Sequence, residues 1–419
     1  MKRQHTIILL LSLTFLVSIS VYQRVLAADG IPPAEVPSCE PDAVPPYSPS
    51  STASSRSQTT LKPALRQLAE GQDFWIGAAT DAWLWQSDPT YQKLLASQFN
   101  MIATENALKW EVVHPQPDSY DFSAGDTILD FARANQMAVY GHALAWGLQL
   151  PPWITEGDYT REQWMELLCR HIKTVVGHYR GHIYAWDVVN EAVSDEGPLY
   201  ENHWLRVIGP EYIPLAFKWA HEADPDAILV YNDHGGEGLN AKSQAIYDLV
   251  KGLVEQGIPI HGVGMQMHVW LDGPPTPQEL SANMKRLAAL GLQTHITEMD
   301  IRTQYSTASM PQKLGLQSRM YRQAFTACLY QPRCKVFVTW GLSDRYSWIP
   351  GYTGKPDAPL LFDEASKPKP AYFAIRKTLS DRQASLACLY PSRYPSAECA
   401  ESSTLPNRHD MDHLHAPAK

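Results

Sequence analysis

Two apolar runs in this sequence end in a glutamate. The first run, residues 183–189 (IYAWDVV), is followed by Asn190 and Glu191, and the second, residues 294–300 (THITEMD), contains Glu298. Carboxyl groups at the ends of buried segments can hold or release a proton, because burial and neighbouring charges decide which form is stable. The chemistry open to such a pair is therefore acid and base catalysis combined with nucleophilic attack.

Polar and aromatic residues also follow most of the other apolar runs. They are carboxylates, amides, imidazoles and indoles with one ammonium group: Glu105, Asn106, Lys109, His142, Trp146, Asn232, Asp233, His234, Gln266, His268, Asp300 and Trp340. Amides and carboxylates hydrogen-bond hydroxyl groups in fixed directions, and indole rings stack on the nonpolar faces of sugars. Each residue taken alone is as well explained by contacts with loops or water. The repetition across the runs favours a site for polyhydroxylated rings.

Hydrolysis of a glycosidic bond uses two carboxyl groups. One donates a proton to the leaving oxygen while the other attacks or stabilises the sugar centre, and a separation of roughly 5 to 5.5 Å gives retention of configuration. We expect His268 and Asp300 to hold Glu298 ionised through hydrogen bonds, as a nucleophile requires. Glu191 follows an apolar strand beside Trp186. We expect this apolar setting to favour the protonated carboxyl group and therefore the role of proton donor.

Eight short apolar runs are spaced along the chain, starting at residues 74, 99, 137, 183, 227, 260, 293 and 335. Patterns with helical periodicity separate most of them, at residues 124–136, 162–179, 241–257 and 277–290. Alternating strands and helices predict an α/β protein, and eight such units predict a single (β/α)8 TIM barrel whose strand ends meet at one face. A doubly wound open sheet is the alternative, but no glycine-rich phosphate fingerprint follows the first run.

The ends of the chain differ in composition from its middle. Residues 1–27 have the layout of a secretory signal peptide, and their apolar stretch is too short for a permanent anchor, which needs roughly 20 residues. Residues 28–60 are rich in Pro, Ser and Thr and predict a linker. We therefore expect a secreted monomer with one catalytic domain over residues 61–380 and a C-terminal tail over residues 381–419.

The charge and the spacing of potential metal ligands exclude several classes of function. The formal net charge is −9, and the sequence has no basic patch of the kind that binds nucleic acid. Neither a C-x-x-C nor an H-E-x-x-H spacing is present, so the sequence predicts no metal site and no cofactor.

Six cysteines in an exported chain allow 15 pairings, so spacing alone leaves most of the connectivity open. Two local pairs are expected, Cys328–Cys334 and Cys388–Cys399. Cys169 lies in a helical pattern and is interpreted as a small buried hydrophobic residue. Cys39 remains without a predicted partner.

Six segments, in order, resemble glycoside hydrolase family ten, the retaining endo-β-1,4-xylanases. They are ATENALKW, GHALAW, WDVVNEA, VGMQMH, ITEMD and VTWGLSDRYSW, and the resemblance extends from about Leu61 to Leu379. It implies that Glu191 is the acid/base and Glu298 the nucleophile, and that Asn190 binds the 2-hydroxyl of the cleaved sugar. The resemblance also implies that His268 and Gln266 flank the nucleophile and that Asp300 pairs with His268. The residues that bind the sugar chain on the glycone side of the cleaved bond, called the clamp below, would be Glu105, Asn106, Lys109, His142, Trp146 and Gln149. The indoles beside the cleaved sugar ring would be Trp340 and Trp348.

The chain departs from the family pattern at two places on the edge of the cleft. His234-Gly235 replaces the usual Tyr-Asn after the fifth strand, and Gly147-Leu148 replaces His-Ser in the third-strand loop.

These changes leave three hypotheses for function. The first is a secreted endo-β-1,4-xylanase acting on xylan or xylo-oligosaccharides. The alternatives are a β-1,4-glucanase or mixed-specificity enzyme with the same mechanism, and an inactive carbohydrate-binding barrel.

Overall fold

Eight parallel strands close into a barrel in the computed structural model, which describes residues 38–50 and 63–389. The eight barrel strands are β1 Trp75–Thr80, β2 Met101–Thr104, β3 Ala138–Gly141, β4 Ala185–Asn190, β5 Ile228–Asp233, β6 Gly262–Met265, β8 Gln293–Arg302 and β9 Cys334–Thr339. A short further strand, β7 His268–Trp270, pairs with β8 beyond the end of β6. Closure follows because β6 pairs with β8 and β9 pairs with β1. The predicted (β/α)8 TIM barrel is confirmed.

Helices occupy the connections and surround the barrel. Their bounds are Leu65–Glu70, Ala82–Ser87, Pro89–Gln98, Trp110–Val113, Ser123–Ala134, Pro152–Thr155, Arg161–His178, His203–Val207, Tyr212–Ala223, Ala241–Glu255, Pro277–Ala289, Met310–Leu329, Trp348–Thr353 and Pro370–Leu389, with a 3-10 turn at Asp344–Tyr346. The helix Arg161–His178 shows why they form where they do. Thr160 caps its first turn and accepts a hydrogen bond from the Gln163 amide, and Trp164, Leu168 and Ile172 form its buried face.

The strands are buried on both faces, which explains why they appear in the sequence as nearly continuous apolar runs. Side chains from successive strands fill the interior of the barrel, among them Met101, Tyr140, Val230 and Val336. The opposite faces of the strands pack against the helices in a larger core. The last residue of each strand therefore lies at the rim, where its side chain can leave the core.

The sixth apolar run forms two strands rather than one. β6 ends at Met265, and Met267 has a φ of 63°, in the left-handed region. The chain then pairs again as β7, in which His268 is opposite Asp300 and Trp270 is opposite Arg302 on β8. Hydrophobic periodicity did not indicate this break, because buried apolar residues occur on both sides of it, Met265 before it and Val269 after it.

The segment 38–50 packs against the outside of the barrel, which corrects the prediction of a linker for this part of residues 28–60. A disulfide joins Cys39 to Cys169. Cys169 is buried, in agreement with its interpretation as a small buried residue, but it is also the partner that the sequence did not supply for Cys39. Asp42 accepts hydrogen bonds from Arg170 at 2.6 Å and from the Tyr120 hydroxyl at 2.9 Å. Composition could not detect these contacts, because they are made with residues far away in the sequence.

The other end of the described chain also differs from the prediction. The helix Pro370–Leu389 continues past the predicted domain end at residue 380, and its residues Leu386 and Ala387 are buried. The Cys328–Cys334 disulfide is present as predicted. The signal peptide, the rest of the linker and Cys399 lie outside the described residues, as does most of the tail. In the described ranges, no helix combines the length and apolar character needed to cross a membrane.

Candidate active site

Glu191 lies directly after β4 and points into the mouth of the barrel. Its φ of 57° turns the chain out of the strand, and its amide donates to the carbonyl of Asn232 at 2.9 Å. The Trp146 indole donates to Oε2 at 2.8 Å, and the Gln266 amide donates to Oε1 at 3.0 Å. Each carboxylate oxygen therefore has one donor that fixes its direction.

Glu298 lies on β8 and is almost completely buried. Its Oε1 accepts a 2.6 Å hydrogen bond from the Asn232 amide, and its Oε2 lies 3.1 Å from Nε2 of His268. The Thr297 hydroxyl donates to Oδ1 of Asn232 and thereby orients the amide nitrogen toward Glu298. Asn232 was predicted to lie at a strand end but had no predicted role. Its pairing with Asn190 across β4 and β5 brings it between the two glutamates.

Side-chain amides connect the two carboxylates without a break. Asn190 Oδ1 lies 3.2 Å from the amide nitrogen of Gln266 and 3.0 Å from that of Asn232. Gln266 in turn contacts Glu191, and Asn232 contacts Glu298. We call Gln266, Asn190 and Asn232 the amide row. A shift of either glutamate would disturb every hydrogen bond in the amide row, so the row fixes the positions of Glu191 and Glu298 relative to each other.

His268 connects Glu298 to Asp300. Its Nδ1 lies 2.8 Å from Oδ2 of Asp300, the same oxygen that accepts a 2.9 Å hydrogen bond from the Trp348 indole. Burial lowers the pKa of His268, but the carboxylates of Asp300 and Glu298 outweigh it and raise that pKa to about 10. His268 is therefore a cation at neutral pH that donates to both carboxylates.

His142 lies on the other side of Glu298 and is neutral. Burial lowers its pKa to about 4. Its Nδ1 is 2.8 Å from Oδ2 of Asp187, whose Oδ1 accepts from the Tyr140 hydroxyl. Ligand atoms of His142, Asp187 and Glu298 lie within 4.8 Å of one another and could surround a cation. Burial raises the pKa of Asp187 well above its usual range, however, so a hydrogen-bonded network suits these residues better than a metal site.

Lys109 is the centre of the predicted clamp. Its ammonium group donates to Asn106 at 2.8 Å and to Gln149 at 2.7 Å, and it lies 5.1 Å from the centre of the Trp146 ring. Burial, with added repulsion from Asp81, raises the pKa of Glu105 to about 8. Asp81 also accepts from the Asn106 amide and was missed in the sequence, because it follows β1 without a motif.

Two indoles form a wall beside the catalytic pair. The Trp340 ring lies 5.1 Å from His142 and 6.3 Å from His268, and the Trp348 ring lies 5.3 Å from His268. Contacts thus bring together every residue predicted for the site: Glu105, Asn106, Lys109, His142, Trp146, Gln149, Asn190, Glu191, Gln266, His268, Glu298, Asp300, Trp340 and Trp348.

The two departures from the family pattern both lie at this face. A Cβ atom on Gly147 would lie only 2.5 Å from Cβ of Asn202, so this side chain occupies the space next to the glycine. Leu148 beside it is exposed. Glu237, which no motif marked, is buried behind the loop that begins at His234 and accepts from the amides of Gly235 and Met267.

A (β/α)8 barrel with two carboxylates, amides and indoles at the carboxyl ends of its strands defines the class of glycoside hydrolases. Comparison with known families then identifies the family, since the model for glycosyl hydrolase family 10 matches residues 64–378. The chain belongs to glycosyl hydrolase family 10. The segment 38–50 precedes the matched region.

Characterised relatives agree with this assignment. Endo-1,4-beta-xylanase B of Thermotoga neapolitana is 43% identical over 320 residues, which cover 76% of this chain and 92% of the relative. The native xylanase 10B of Thermotoga maritima superposes with a TM-score of 0.74 at 44% identity, covering 76% of this chain and 98% of that one. Xylanase 10B of Thermotoga petrophila, in complex with xylobiose, gives a TM-score of 0.75 at 43% identity and covers 78% and 99%.

Proposed function

We propose that this chain is a secreted, retaining endo-β-1,4-xylanase that hydrolyses internal bonds of xylan. The main support is the pairing of Glu191 and Glu298 across the barrel mouth through the amide row. The similarity to xylanases, one of them in complex with xylobiose, supports the choice of substrate. The disulfide between Cys39 and Cys169 agrees with export, because disulfides persist in oxidising compartments.

The mechanism assigns one role to each carboxyl group. In the first step Glu298 forms a bond to the anomeric carbon while the bond to the leaving oxygen breaks, and Glu191 gives its proton to that oxygen. In the second step Glu191 takes a proton from water, whose oxygen attacks the anomeric carbon and releases Glu298. Two displacements at the same carbon retain its configuration.

The neighbours of each glutamate fit these roles. His268 holds a positive charge beside Glu298 and contacts one oxygen of its carboxyl group, an arrangement that suits a carboxylate nucleophile. Asn232 occupies the other oxygen of Glu298 and limits its rotation. Trp146 and Gln266 hold Glu191 in one direction, so that its proton can reach a single leaving oxygen.

Release of reducing sugar from xylan, carboxymethylcellulose and mannan by the purified mature chain tests the substrate. Strong release from xylan alone supports the proposal. Release mainly from carboxymethylcellulose would make the chain a β-1,4-glucanase with the same mechanism, and no release from any polymer would favour an inactive carbohydrate-binding barrel. NMR observation of the first product anomer tests retention, since an inverting enzyme would release the α form.

A further inference from the structure

The two residues that follow Glu191 are held by side chains of the neighbouring strand β5. The Glu191 amide still donates to a backbone carbonyl of β5. The Ala192 amide, however, donates to the Tyr231 hydroxyl at 3.2 Å, and the Val193 amide donates to Oδ2 of Asp233 at 3.3 Å. Side chains of β5 therefore replace its backbone as acceptors at the point where the chain leaves β4.

These acceptors belong to a buried group of three side chains. The Tyr231 hydroxyl donates to Oδ2 of Asp233 at 2.6 Å, and the Lys242 ammonium group lies 3.1 Å from Oδ1 of Asp233. Lys242 also donates to Asp195 at 3.2 Å, in the loop that follows Glu191. Tyr231, Asp233 and Lys242 are all buried. We call these three residues the loop anchor.

The contacts of Asp233 require it to accept hydrogen bonds at both oxygens. Oδ1 meets the His234 amide at 2.9 Å and the Lys242 ammonium group, and Oδ2 meets the Tyr231 hydroxyl and the Val193 amide. Four donors around one carboxyl group favour its ionised form. Burial raises the pKa of Asp233 to about 6, although Lys242 lowers it. Lys242 therefore helps to keep Asp233 in the form that accepts.

The loop anchor acts on the backbone that carries Glu191. Glu191 has a φ of 57°, in the left-handed region that non-glycine residues adopt only where the surroundings hold them. Trp146 and Gln266 orient the carboxyl group of Glu191, but they contact only the end of its side chain. The loop anchor holds the next two amides and thereby limits movement of the backbone. A proton is transferred only over hydrogen-bond distance, so a small displacement of Glu191 would slow the transfer.

We propose that the loop anchor is a positioning device that holds Glu191 at the leaving oxygen for proton transfer. This inference rests on the proposed function, because it takes Glu191 to be the proton donor of the first step. The hydrogen bonds of Glu298 go instead to the side chains of Asn232 and His268, outside the loop anchor. Damage to the loop anchor should therefore impair proton transfer and leave nucleophilic attack intact.

Two substrates that differ in the leaving group separate these effects. Xylohexaose releases a sugar hydroxyl, which must be protonated as the bond breaks, whereas dinitrophenyl xylobioside releases a phenolate that leaves without a proton. We expect Asp233→Asn and Tyr231→Phe each to lower kcat/KM for xylohexaose about tenfold, a part of what general acid catalysis contributes. Their kcat/KM for dinitrophenyl xylobioside should stay within about twofold of the wild type. Equal losses on both substrates, or no loss on xylohexaose, would overturn the proposal.

Asp344→Asn is the matched control. Asp344 is also buried and lies 2.9 Å from a buried lysine, Lys369, and burial raises its pKa to about 6 as well. It lies after β9, and its other oxygen accepts from the Leu360 amide. Urea denaturation should show that Asp344→Asn is folded but less stable, as is Asp233→Asn. The ratio of its two kcat/KM values should equal that of the wild type, and a ratio altered as in Asp233→Asn would overturn the proposal.

Lys242 needs its own comparison, because it acts through Asp233. Its replacement in Lys242→Met should raise the pKa of Asp233 further; the other titratable groups that face Asp233 are Tyr231, His234 and Tyr212. An aspartate is ionised above its pKa, so the loss of this variant on xylohexaose should shrink as the pH rises from about 6 to about 8. Lys242→Arg keeps the cation and should lose less. A loss that does not change with pH would overturn the role of Lys242.

The two levels of the argument fail in different ways. A wild-type chain that cleaves neither xylan nor xylohexaose would refute the proposed function. A wild type active on both xylohexaose and dinitrophenyl xylobioside, with Asp233→Asn and Tyr231→Phe equal to it on both, would refute the loop anchor alone.

Discussion

Two imidazoles flank Glu298, and their opposite protonation illustrates how neighbours set chemistry at the residue scale. Both are buried, and burial lowers the pKa of His142 to about 4. At His268 the two carboxylates reverse this effect and raise the pKa to about 10. The same residue type therefore provides a neutral group on one side of Glu298 and a cation on the other.

Replacing Glu298 by alanine should abolish turnover while sparing sugar binding. The variant removes the atom that attacks the anomeric carbon but leaves the clamp around Lys109 in place. We expect a loss of about 10⁴-fold or more in kcat on xylan, with binding of xylohexaose retained in calorimetry. Unaltered turnover would refute the mechanism, and Glu237→Gln serves as a control for a buried glutamate outside the catalytic pair.

His268 should make the stability of the protein depend on pH. Its folded-state pKa of about 10 is above the value of about 6.5 expected in the unfolded chain. The stabilisation is therefore complete below pH about 6.5 and is lost as the pH rises toward 10. In urea titrations from pH 6 to pH 10, the free energy of unfolding of the wild type should fall more steeply than that of His268→Gln. Parallel slopes would contradict the assigned charge.

At the scale of elements, the backbone conformation at the strand ends determines the direction of the side chains in the candidate active site. Glu191 and Met267 have positive φ values of 57° and 63°, a conformation that non-glycine residues adopt at a cost of about 1 kcal/mol or more. The first turns Glu191 out of β4, and the second separates β6 from β7. The amide of Met267 donates to the buried Glu237, which helps to hold this conformation.

The loop after β3 should tolerate no side chain at Gly147. A Cβ there would lie 2.5 Å from Cβ of Asn202, which caps the helix His203–Val207 and bonds to Tyr212. Gly147→Ala should therefore lower the free energy of unfolding by about 1 to 3 kcal/mol. It should also raise KM, because the glycine follows Trp146 in the clamp.

Chemical denaturation and steady-state kinetics measure both effects. Gly177→Ala is the control, since a Cβ at that helical position meets no atom within 4 Å and alanine favours helix. Equal changes in the free energy of unfolding and in KM for the two variants would mean that Asn202 can move away and does not restrict the loop.

At the scale of the whole molecule, the segment 38–50 joins distant helices. The Cys39–Cys169 disulfide attaches it to the helix Arg161–His178. Tyr47 donates to Asp130 in the helix Ser123–Ala134 at 2.6 Å, and Nδ1 of His178 lies 2.6 Å from the carbonyl of Pro45. These helices follow the strands β2 and β3. The segment therefore connects two helices on the side of the barrel that carries the predicted clamp.

Loss of the Cys39–Cys169 disulfide should destabilise the chain more than loss of the Cys328–Cys334 disulfide. The first spans 130 residues and the second only 6. On the chain-entropy model, Cys39→Ser should lower the free energy of unfolding by about 5 kcal/mol and Cys334→Ser by about 2 kcal/mol. Urea denaturation under non-reducing conditions measures both, and kcat at 25 °C should be unchanged for Cys39→Ser. The reverse ranking would show that the segment adds no constraint beyond its local contacts.

The alternation of strands and helices could be recognised because it depends on periodicity and burial within each segment. Each of the eight predicted runs contains an observed strand, and the polar residues at their ends meet at the mouth of the barrel. Asn232 and Asp81 were not assigned roles, since their importance comes from the neighbouring strand and not from a motif.

The sequence by itself determined the barrel, the glutamate pair and the family motifs, because local hydrophobic patterns and ordered motifs are properties of the chain. Only the tertiary structure decided which groups touch. It connected Glu191 to Glu298 through the amides of Asn190, Asn232 and Gln266, which lie on β4, on β5 and after β6. It also paired Cys39 with Cys169 and placed Trp270, Arg302 and Tyr352 together. These contacts join residues that are far apart in sequence, and such contacts depend on how the ring of strands closes.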